Sequence, residues 1–215
     1  MTWVTNAFDF LCKGGPVMVP LIACSVASVA VMIERYMRLK SASGKSEELM
    51  ERVEKSLALG RYQDAIRISE YEQTPLGDML ATGLKCPDQA EKCMEEDALK
   101  TTPELFKRLS ILDTIITIAP LLGLLGTVTG MIRSFHVIST KSGLGTPTAI
   151  TGGVAEALTA TATGLAIAIV TLVGYNYLTE KAKVIVSDME VCGTRLVNIL
   201  SSGKEEANEA QAMGA

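Results

Sequence analysis

The sequence predicts an all-α membrane protein with three transmembrane helices that extend into a cytoplasmic helical domain. Three uncharged segments of about 20 residues, at residues 14–33, 114–132 and 157–179, are each long enough to cross a hydrocarbon core of about 30 Å. Nearly all the charge lies between the first two segments and after the third, so the chain divides into membrane and aqueous parts. No alternating β pattern of useful length is present.

The composition excludes several classes of function. The 215 residues carry a net charge of −4, and nothing in them suggests nucleic-acid binding. The five cysteines are scattered without a CxxC pair beside a single histidine, so neither a disulfide framework nor a zinc site is indicated. The sequence also lacks a GxxxxGK loop. We therefore expect no metal, no cofactor and no catalytic site, and ATP is not the expected energy source.

The first apolar segment predicts a transmembrane helix over residues 14–33, after a short N-terminal stretch at residues 1–13. A cleavable signal peptide is the competing interpretation, and residues 21–24, LIAC, resemble a lipoprotein processing box. The apolar run continues to Ile33, however, and the basic cluster follows it instead of preceding it. We therefore expect this helix to remain in the mature protein.

The positions of lysine and arginine predict the orientation in the membrane. Basic residues follow the first segment, precede the second and follow the third, whereas the opposite side offers few. The first group is Arg35, Arg38, Lys40, Lys45, Lys100, Lys107, Arg108, Lys181 and Lys183, and the second is Lys13, Arg133 and Lys141. By the positive-inside rule the N-terminus lies outside, and residues 34–113 and 180–215 lie in the cytoplasm.

Residues 34–113 show the pattern of short helices. An apolar stripe at helical spacing predicts one helix before Gly60, and a second helix begins at Tyr62. Thr74-Pro75 marks a break between helices. The stripe consists of Leu49, Met50, Val53 and Leu57.

Two further helix starts are predicted in this region. Asp88 and Glu91 form a plausible N-terminal capping pair. Residues 101–104, TTPE, give a start signal in which Pro103 occupies the first turn.

The second apolar segment predicts a transmembrane helix over residues 114–135 with a face of small residues, which allows helices to approach closely in lipid. Thr127 lies between Gly126 and Gly130. Its hydroxyl either takes part in the function or donates a hydrogen bond to the backbone of its own helix. Residues 136–153 are expected to form an external turn to the third helix. The small residues are Ala119, Gly123, Gly126 and Gly130.

Glu156 opens the third predicted transmembrane helix, residues 154–179, and is followed by the longest uncharged segment. A carboxylate at this depth costs on the order of 2.5 kcal/mol if it faces lipid, so such groups usually face a bundle interior, a partner or a water path. Glu156 is therefore a candidate functional residue. The alternative interpretation is a residue at the level of the lipid headgroups.

The residues after Glu156 suit close helix packing. Ala160, Gly164 and Ala168 follow it at intervals of four. Thr159, Thr161 and Thr163 add hydroxyls that bond either to neighbouring helices and water or to their own backbone. A helical pattern continues past the membrane, and the tail from Ser201 is expected to be disordered.

Two motifs carry a family resemblance. Residues 119–131, APLLGLLGTVTGM, with Ser134 and Phe135 after them, and residues 153–164, GVAEALTATATG, together resemble the MotA/TolQ/ExbB proton-channel family, in particular its ExbB and TolQ branch. The order of three helices, the exit of the first helix at residues 33–36, IERY, and the cytoplasmic insertion match as well. The resemblance therefore spans most of the chain.

The resemblance implies a homopentamer of three-span subunits in the bacterial inner membrane around a pair of helices from a single-span partner. That partner is ExbD/TolR-like, carries a transmembrane aspartate, and works with a TonB/TolA-like protein. The resemblance also implies a proton pathway that includes Glu156, Thr127 and Thr161. One departure is Val170, which stands where the family usually has a proline.

The function expected from this resemblance is that of a proton-channel subunit in a motor that energises TonB-dependent transport across the outer membrane. A TolQ-like subunit of the Tol-Pal envelope system is the alternative within the family, and a flagellar stator comes third because that branch has four spans. A non-conducting membrane scaffold is an alternative of another class. A secondary transporter is disfavoured because only three spans and no inverted repeat are present.

Overall fold

The computed structural model describes residues 15–140 and 147–213, and all the regular elements in these ranges are helical. The helices are α1 (Met18–Ala42), α2 (Ser46–Ala58), α3 (Tyr62–Tyr71), α4 (Pro75–Lys85), α5 (Ala90–Phe106), α6 (Leu109–Thr140) and α7 (Pro147–Met213), with a 3-10 turn at Pro87–Gln89 before α5. The predicted all-α class is confirmed. The predicted N-terminal stretch, residues 1–13, lies outside the described residues.

Three of the helices, α1, α6 and α7, are long and apolar enough to cross a membrane, which confirms the predicted three spans. Fewer than a third of the residues in each apolar window are buried within the chain. Most of the apolar surface is therefore left for lipid or for other chains to cover.

The chain divides into two compact units. The first contains residues 15–34 and Arg108–Tyr177, and the second contains Arg35–Lys107 and the residues from Leu178 onward. Both α1 and α7 contribute to each unit.

The first unit has a core of small and medium-sized apolar side chains from α1, α6, α7 and the turn before α1. Thr171 is also fully buried there, and its hydroxyl donates to the main-chain oxygen of Ile167 at 2.7 Å, which satisfies the polar group. The buried apolar residues are Val17, Met18, Leu21, Ile115, Ala119, Ala160 and Ala168.

The second unit contains the short helices, whose boundaries follow local sequence signals. Gly60, which follows the C-cap residue Leu59 of α2, adopts φ +71°, as predicted for a helix stop. Thr74 caps α4, because its hydroxyl accepts from the main-chain N–H of Gly77 at 3.2 Å, and Pro75 fills the first turn. Leu49, Met50 and Val53 of the predicted stripe are buried.

The part of α7 in the second unit buries one side chain per turn. The buried residues are Leu178, Ala182, Ile185, Met189, Cys192 and Leu196. Arg195, on the same stretch, contacts two carboxylates of α2, Glu47 at 2.7 Å and Glu54 at 2.9 Å.

The predicted capping pair at Asp88 and Glu91 and the predicted helix start at residues 101–104 are wrong, although a helix does begin close to Asp88, at Ala90. The 3-10 turn that begins at Pro87 delays the entry to α5, so its cap is Gln89, without a side-chain hydrogen bond, and Asp88 lies inside the turn. Pro103 lies inside α5, as the fourth residue from its C-terminal end, so α5 continues through it with one main-chain hydrogen bond fewer. The chain breaks instead at Lys107 and Arg108, where Arg108 has φ +63° and its guanidinium pairs with Glu34.

The ends of the long helices also differ from expectation. The tail from Ser201 is helical as far as Met213, because lysine, glutamate, glutamine and alanine are good helix formers. The predicted external turn at residues 136–153 is helical at both ends, since α6 reaches Thr140 and α7 begins at Pro147. The remainder, residues 141–146, lies outside the described residues.

Candidate proton-pathway site

Glu156 lies on α7 against α6, and its carboxylate pairs with an arginine. Oε1 of Glu156 accepts a hydrogen bond from Nη1 of Arg133 at 2.7 Å. The Glu156 side chain is 23% exposed and that of Arg133 is 53% exposed, so the pair lies at the edge of the packed interface and is open on one side. A charge-assisted bond of this length holds the carboxylate in one orientation.

Gly15 packs against the same carboxylate oxygen as Arg133. A Cβ atom built on Gly15 would overlap Oε1 of Glu156, so the main chain packs directly on the carboxylate. Gly15 also has φ +71°, a conformation that L side chains rarely adopt. Glycine at this position therefore serves both the backbone conformation and the contact.

The hydroxyl of Thr161 connects α7 to α6. It donates to the main-chain oxygen of Gly123 at 2.8 Å, and Thr161 is partly buried. Its oxygen still has lone pairs that can accept from water.

The other three candidate threonines donate to carbonyls of their own helices. Thr127 donates to the main-chain oxygen of Leu124 at 2.7 Å. Thr159 and Thr163 each donate to the main-chain oxygen four residues earlier, at 2.8 Å. The hydroxyl protons of these three residues are therefore bound to their own helices, which is the alternative interpretation given for them above.

The predicted glycines of α6 lie directly against α7. A Cβ at Gly126 would lie 2.5 Å from Cβ of Ala160, and one at Gly130 would lie 2.9 Å from Cβ of Ala157. Side chains do not tolerate contacts as short as these. The two backbones can therefore approach this closely only because glycine places no side chain between them.

The interface continues along both helices. A Cβ at Gly123 would lie 2.9 Å from Cα of Thr161, and one at Gly164 would lie 2.5 Å from the main-chain oxygen of Ala119. Val170 is exposed, and α7 continues through it as an unbroken helix.

Sequence reasoning did not assign Gly15 or Arg133 to the site. Arg133 was considered only as an external basic residue, although it is three residues beyond Gly130 and extends the same helix. The Gly14-Gly15-Pro16 sequence ahead of an apolar helix was a usable signal for a special backbone conformation.

The fold and the site together define a class: an all-helical membrane protein of three spans in which a paired carboxylate, Glu156, directly precedes the uncharged segment of α7, residues 157–179. Ionisable residues in that setting mark ion or proton pathways. The sequence matches the MotA/TolQ/ExbB proton channel family over residues 71–191, and the chain belongs to this family.

Relatives place the chain in the ExbB and TolQ branch. It is similar to the biopolymer transport proteins ExbB-like 3 and ExbB-like 1 of Synechocystis sp. The first is 33% identical over 172 residues, 76% of this chain and 80% of the relative, and the second is 32% identical over 188 residues, 83% and 72%. The Tol-Pal system protein TolQ of Haemophilus influenzae is 27% identical over 207 residues, 87% and 90%.

These findings establish a channel-family subunit. The family is a transport family and not a family of enzymes. Membership together with three apolar helices indicates the bacterial inner membrane.

Proposed function

We propose that this chain is the proton-channel subunit of an inner-membrane motor that couples the proton gradient to TonB-dependent transport across the outer membrane. The observation that carries the proposal is the partly buried Glu156 carboxylate, which is held by Arg133 at the start of a span without other charges. Placing a carboxylate inside a membrane costs free energy unless the carboxylate pairs with another group or faces a water path.

The proton pathway proposed here includes Glu156, Thr127 and Thr161. The hydroxyl protons of the two threonines are engaged, so these residues assist by accepting hydrogen bonds from water. Each elementary charge that crosses the membrane releases about 2.3 kcal/mol per 100 mV, so mechanical work requires several coupled protons or small steps.

The orientation follows from the distribution of basic residues. The N-terminus is periplasmic, the segment 34–113 and the C-terminal part of α7 are cytoplasmic, and the connection between α6 and α7 is periplasmic. Glu156 then lies near the periplasmic end of the path, where protons enter. Its position nine residues after Pro147, about 14 Å along the helix, agrees with a place inside the bilayer boundary.

The partners proposed are an ExbD/TolR-like single-span protein with a transmembrane aspartate and a TonB/TolA-like protein. The chain itself forms a homo-oligomer, a pentamer by family resemblance. Large apolar side chains on α6 and α7 remain exposed, and neighbouring subunits, the partner helices and lipid would cover them. They include Leu121, Leu124, Leu125, Leu158, Leu165 and Ile169.

A TolQ-like role is the second candidate, because the TolQ relative matches nearly the whole of both chains. Complementation of a bacterial host that lacks its own ExbB and TolQ subunits separates the two. With the cognate single-span partner co-expressed, we expect growth on iron chelates that enter through TonB-dependent receptors. Restored detergent resistance without iron uptake would favour the Tol-Pal role.

A non-conducting scaffold is the alternative of another class, and the same host tests it. We expect Glu156→Gln to abolish complementation, whereas a scaffold tolerates this nearly isosteric change. Equal amounts of the assembled complex, measured for both proteins, are the necessary control.

A further inference from the structure

We propose that a groove of the second unit, between α5 and the C-terminal part of α7, binds a basic amphipathic segment of a partner protein. The inference rests on the proposed function in one respect, because it takes the second unit to be cytoplasmic. None of the proposed proton-pathway residues is among the described residues that line this groove.

The floor of the groove is apolar and rich in methionine. Met79 of α4, Met94 of α5 and Met189 of α7 line it, and all three are nearly fully buried. The groove has a volume of about 740 Å³, within the range of about 300–1,000 Å³ that is usual for ligand pockets. Because methionine side chains are flexible and polarizable, such a floor adapts to the apolar side chains of a partner.

Two helix faces form the walls of the groove. The lining residues of α5 run from Glu91 to Pro103, and those of α7 run from Val186 to Asn198. Each run is about 18 Å long at about 1.5 Å per residue, which is the length of about three helical turns. A helix that lays its apolar face into a groove of this kind is a common mode of peptide recognition.

The rim of the groove is acidic. Glu91, Glu95 and Glu190 line it with exposed side chains, and no lysine or arginine is among its described lining residues. Within the part of the chain that the structure describes, none of these three carboxylates forms an ion pair, whereas Glu70 of the same unit pairs with Lys85. A rim of one sign of charge favours a partner of the opposite sign. The complementary surface is therefore an apolar helix face bordered by lysine or arginine.

The position of the groove along the chain indicates the source of this segment. Val186 comes seven residues after Thr179, the last residue of the uncharged segment of α7. Cytoplasmic segments next to membrane spans carry an excess of lysine and arginine. We therefore assign the groove to the basic cytoplasmic segment that flanks a transmembrane span of a partner protein.

The test measures peptide binding to the full chain, purified without other proteins in a neutral detergent. The probe is a fluorescent synthetic peptide of about 14 residues, about four helical turns, with leucine on one helix face and lysine on the other. The matched probe has glutamate in place of every lysine, and binding to micelles without protein is subtracted. By fluorescence anisotropy we expect the glutamate peptide to bind at least about tenfold more weakly than the lysine peptide.

Neutralising the rim should weaken binding of the lysine peptide by about tenfold, because three exposed ion pairs each contribute modestly. The variant for this test combines Glu91→Gln, Glu95→Gln and Glu190→Gln. A control variant with the same change in net charge neutralises three exposed carboxylates outside the groove and should bind as wild type does. It combines Glu51→Gln, Asp64→Asn and Glu96→Gln.

A second pair of variants tests the apolar contact. Leu99 lines the groove and is 68% exposed, whereas Leu59 is 61% exposed and does not line it. Leu99→Ser should weaken binding of the lysine peptide by about threefold to tenfold, because less apolar surface is buried. Leu59→Ser should leave binding unchanged. Both residues are at the surface, so both variants should fold.

Equal affinity of wild type for the two peptides would overturn the inference, and so would equal affinity of the two triple variants for the lysine peptide. If a second copy of the chain covers the groove instead, wild type will not bind the peptide and Leu99→Ser will lower the assembled mass. That result would also overturn the inference. The proposed function fails by a different observation, flux that survives Glu156→Gln, which does not depend on peptide binding.

Discussion

The hydroxyl of Thr161 donates a hydrogen bond to the main-chain oxygen of Gly123, 2.8 Å away, and so joins α7 to α6 in the interface between these apolar helices. Thr159 lies half a turn away on the same helix and donates to its own helix instead. The two threonines form a matched pair for testing what the link contributes.

Thr161→Val should lower the free energy of unfolding by about 0.6 kcal/mol, a typical value for a hydrogen bond between membrane helices. Thr159→Val should leave it nearly unchanged, because the replaced bond is local. Unfolding of the detergent-solubilised protein by titration with a denaturing detergent measures both. Equal effects of the two substitutions would contradict a specific role for the link to Gly123.

Gly126→Ala should force α6 and α7 apart, because the new Cβ would lie 2.5 Å from Cβ of Ala160. We expect a loss of about 1–3 kcal/mol in the free energy of unfolding, the usual cost of overpacking. Gly152→Ala is the control, since nothing lies within 4 Å of its Cβ position.

The double variant Gly126→Ala, Ala160→Gly exchanges the two residues across the interface and should recover most of the loss. If the double variant were less stable than Gly126→Ala alone, the close approach at this pair would not explain the effect.

Gly15→Ala combines two costs, backbone strain at φ +71° and overlap with the Glu156 carboxylate. Gly60 has the same φ of +71° but open space around its Cβ position. Both alanine variants should lose stability of about 1 kcal/mol from the left-handed conformation. Only Gly15→Ala should also lower proton flux in liposomes, because it displaces Glu156.

The comparison is informative in both directions. Equal flux in Gly15→Ala and wild type would show that the position of the carboxylate against Gly15 is not needed. A loss of flux in Gly60→Ala would point to a general effect of the backbone change.

The raised pKa of Asp78 predicts that the stability of the second unit depends on pH. Partial desolvation by its neighbours raises the pKa of Asp78, and the nearby Asp97 raises it further, against the opposing effect of Lys85. The folded state therefore holds this proton more tightly than the unfolded state. The stabilisation from this proton is complete below the unfolded pKa of about 3.9 and is lost as the pH rises through the higher folded pKa.

Asp78→Asn should remove this part of the pH dependence. We expect the free energy of unfolding to fall less in the variant than in wild type as the pH rises from about 4 to 7. Glu51→Gln, on the exposed surface of α2, is the control. If the free energy of unfolding fell as much with rising pH in Asp78→Asn as in wild type, the account would be contradicted.

The three spans were predictable because hydropathy accumulates over about 20 residues and needs no knowledge of neighbours. The glycine face of α6 was predictable for a similar reason, since spacing along a helix fixes which residues share a face. The helix start expected at residues 101–104 was wrong because α5 begins at Ala90 and continues through Pro103 at the cost of one main-chain hydrogen bond, which the local sequence did not reveal.

The partners of Glu156 depend on tertiary packing. Arg133 is 23 residues away in sequence, and Gly15 is on another segment entirely. Successive helical residues turn by about 100°, so Thr159, Thr161 and Thr163 cannot all face α6. Which threonine does so depends on the rotation of α7, which the sequence pattern does not determine.

The measurement that tests the central claim most directly is proton flux into liposomes that contain the complex with its single-span partner, at an imposed gradient. Wild type is compared with Glu156→Gln, and Glu180→Gln, beyond the uncharged span on the same helix, serves as the control; all three must have the same assembled mass. We predict that Glu156→Gln lowers flux by at least about tenfold, or about 1.4 kcal/mol in barrier height, while Glu180→Gln does not. Equal flux in wild type and Glu156→Gln would contradict the account and leave Glu156 as a packing residue.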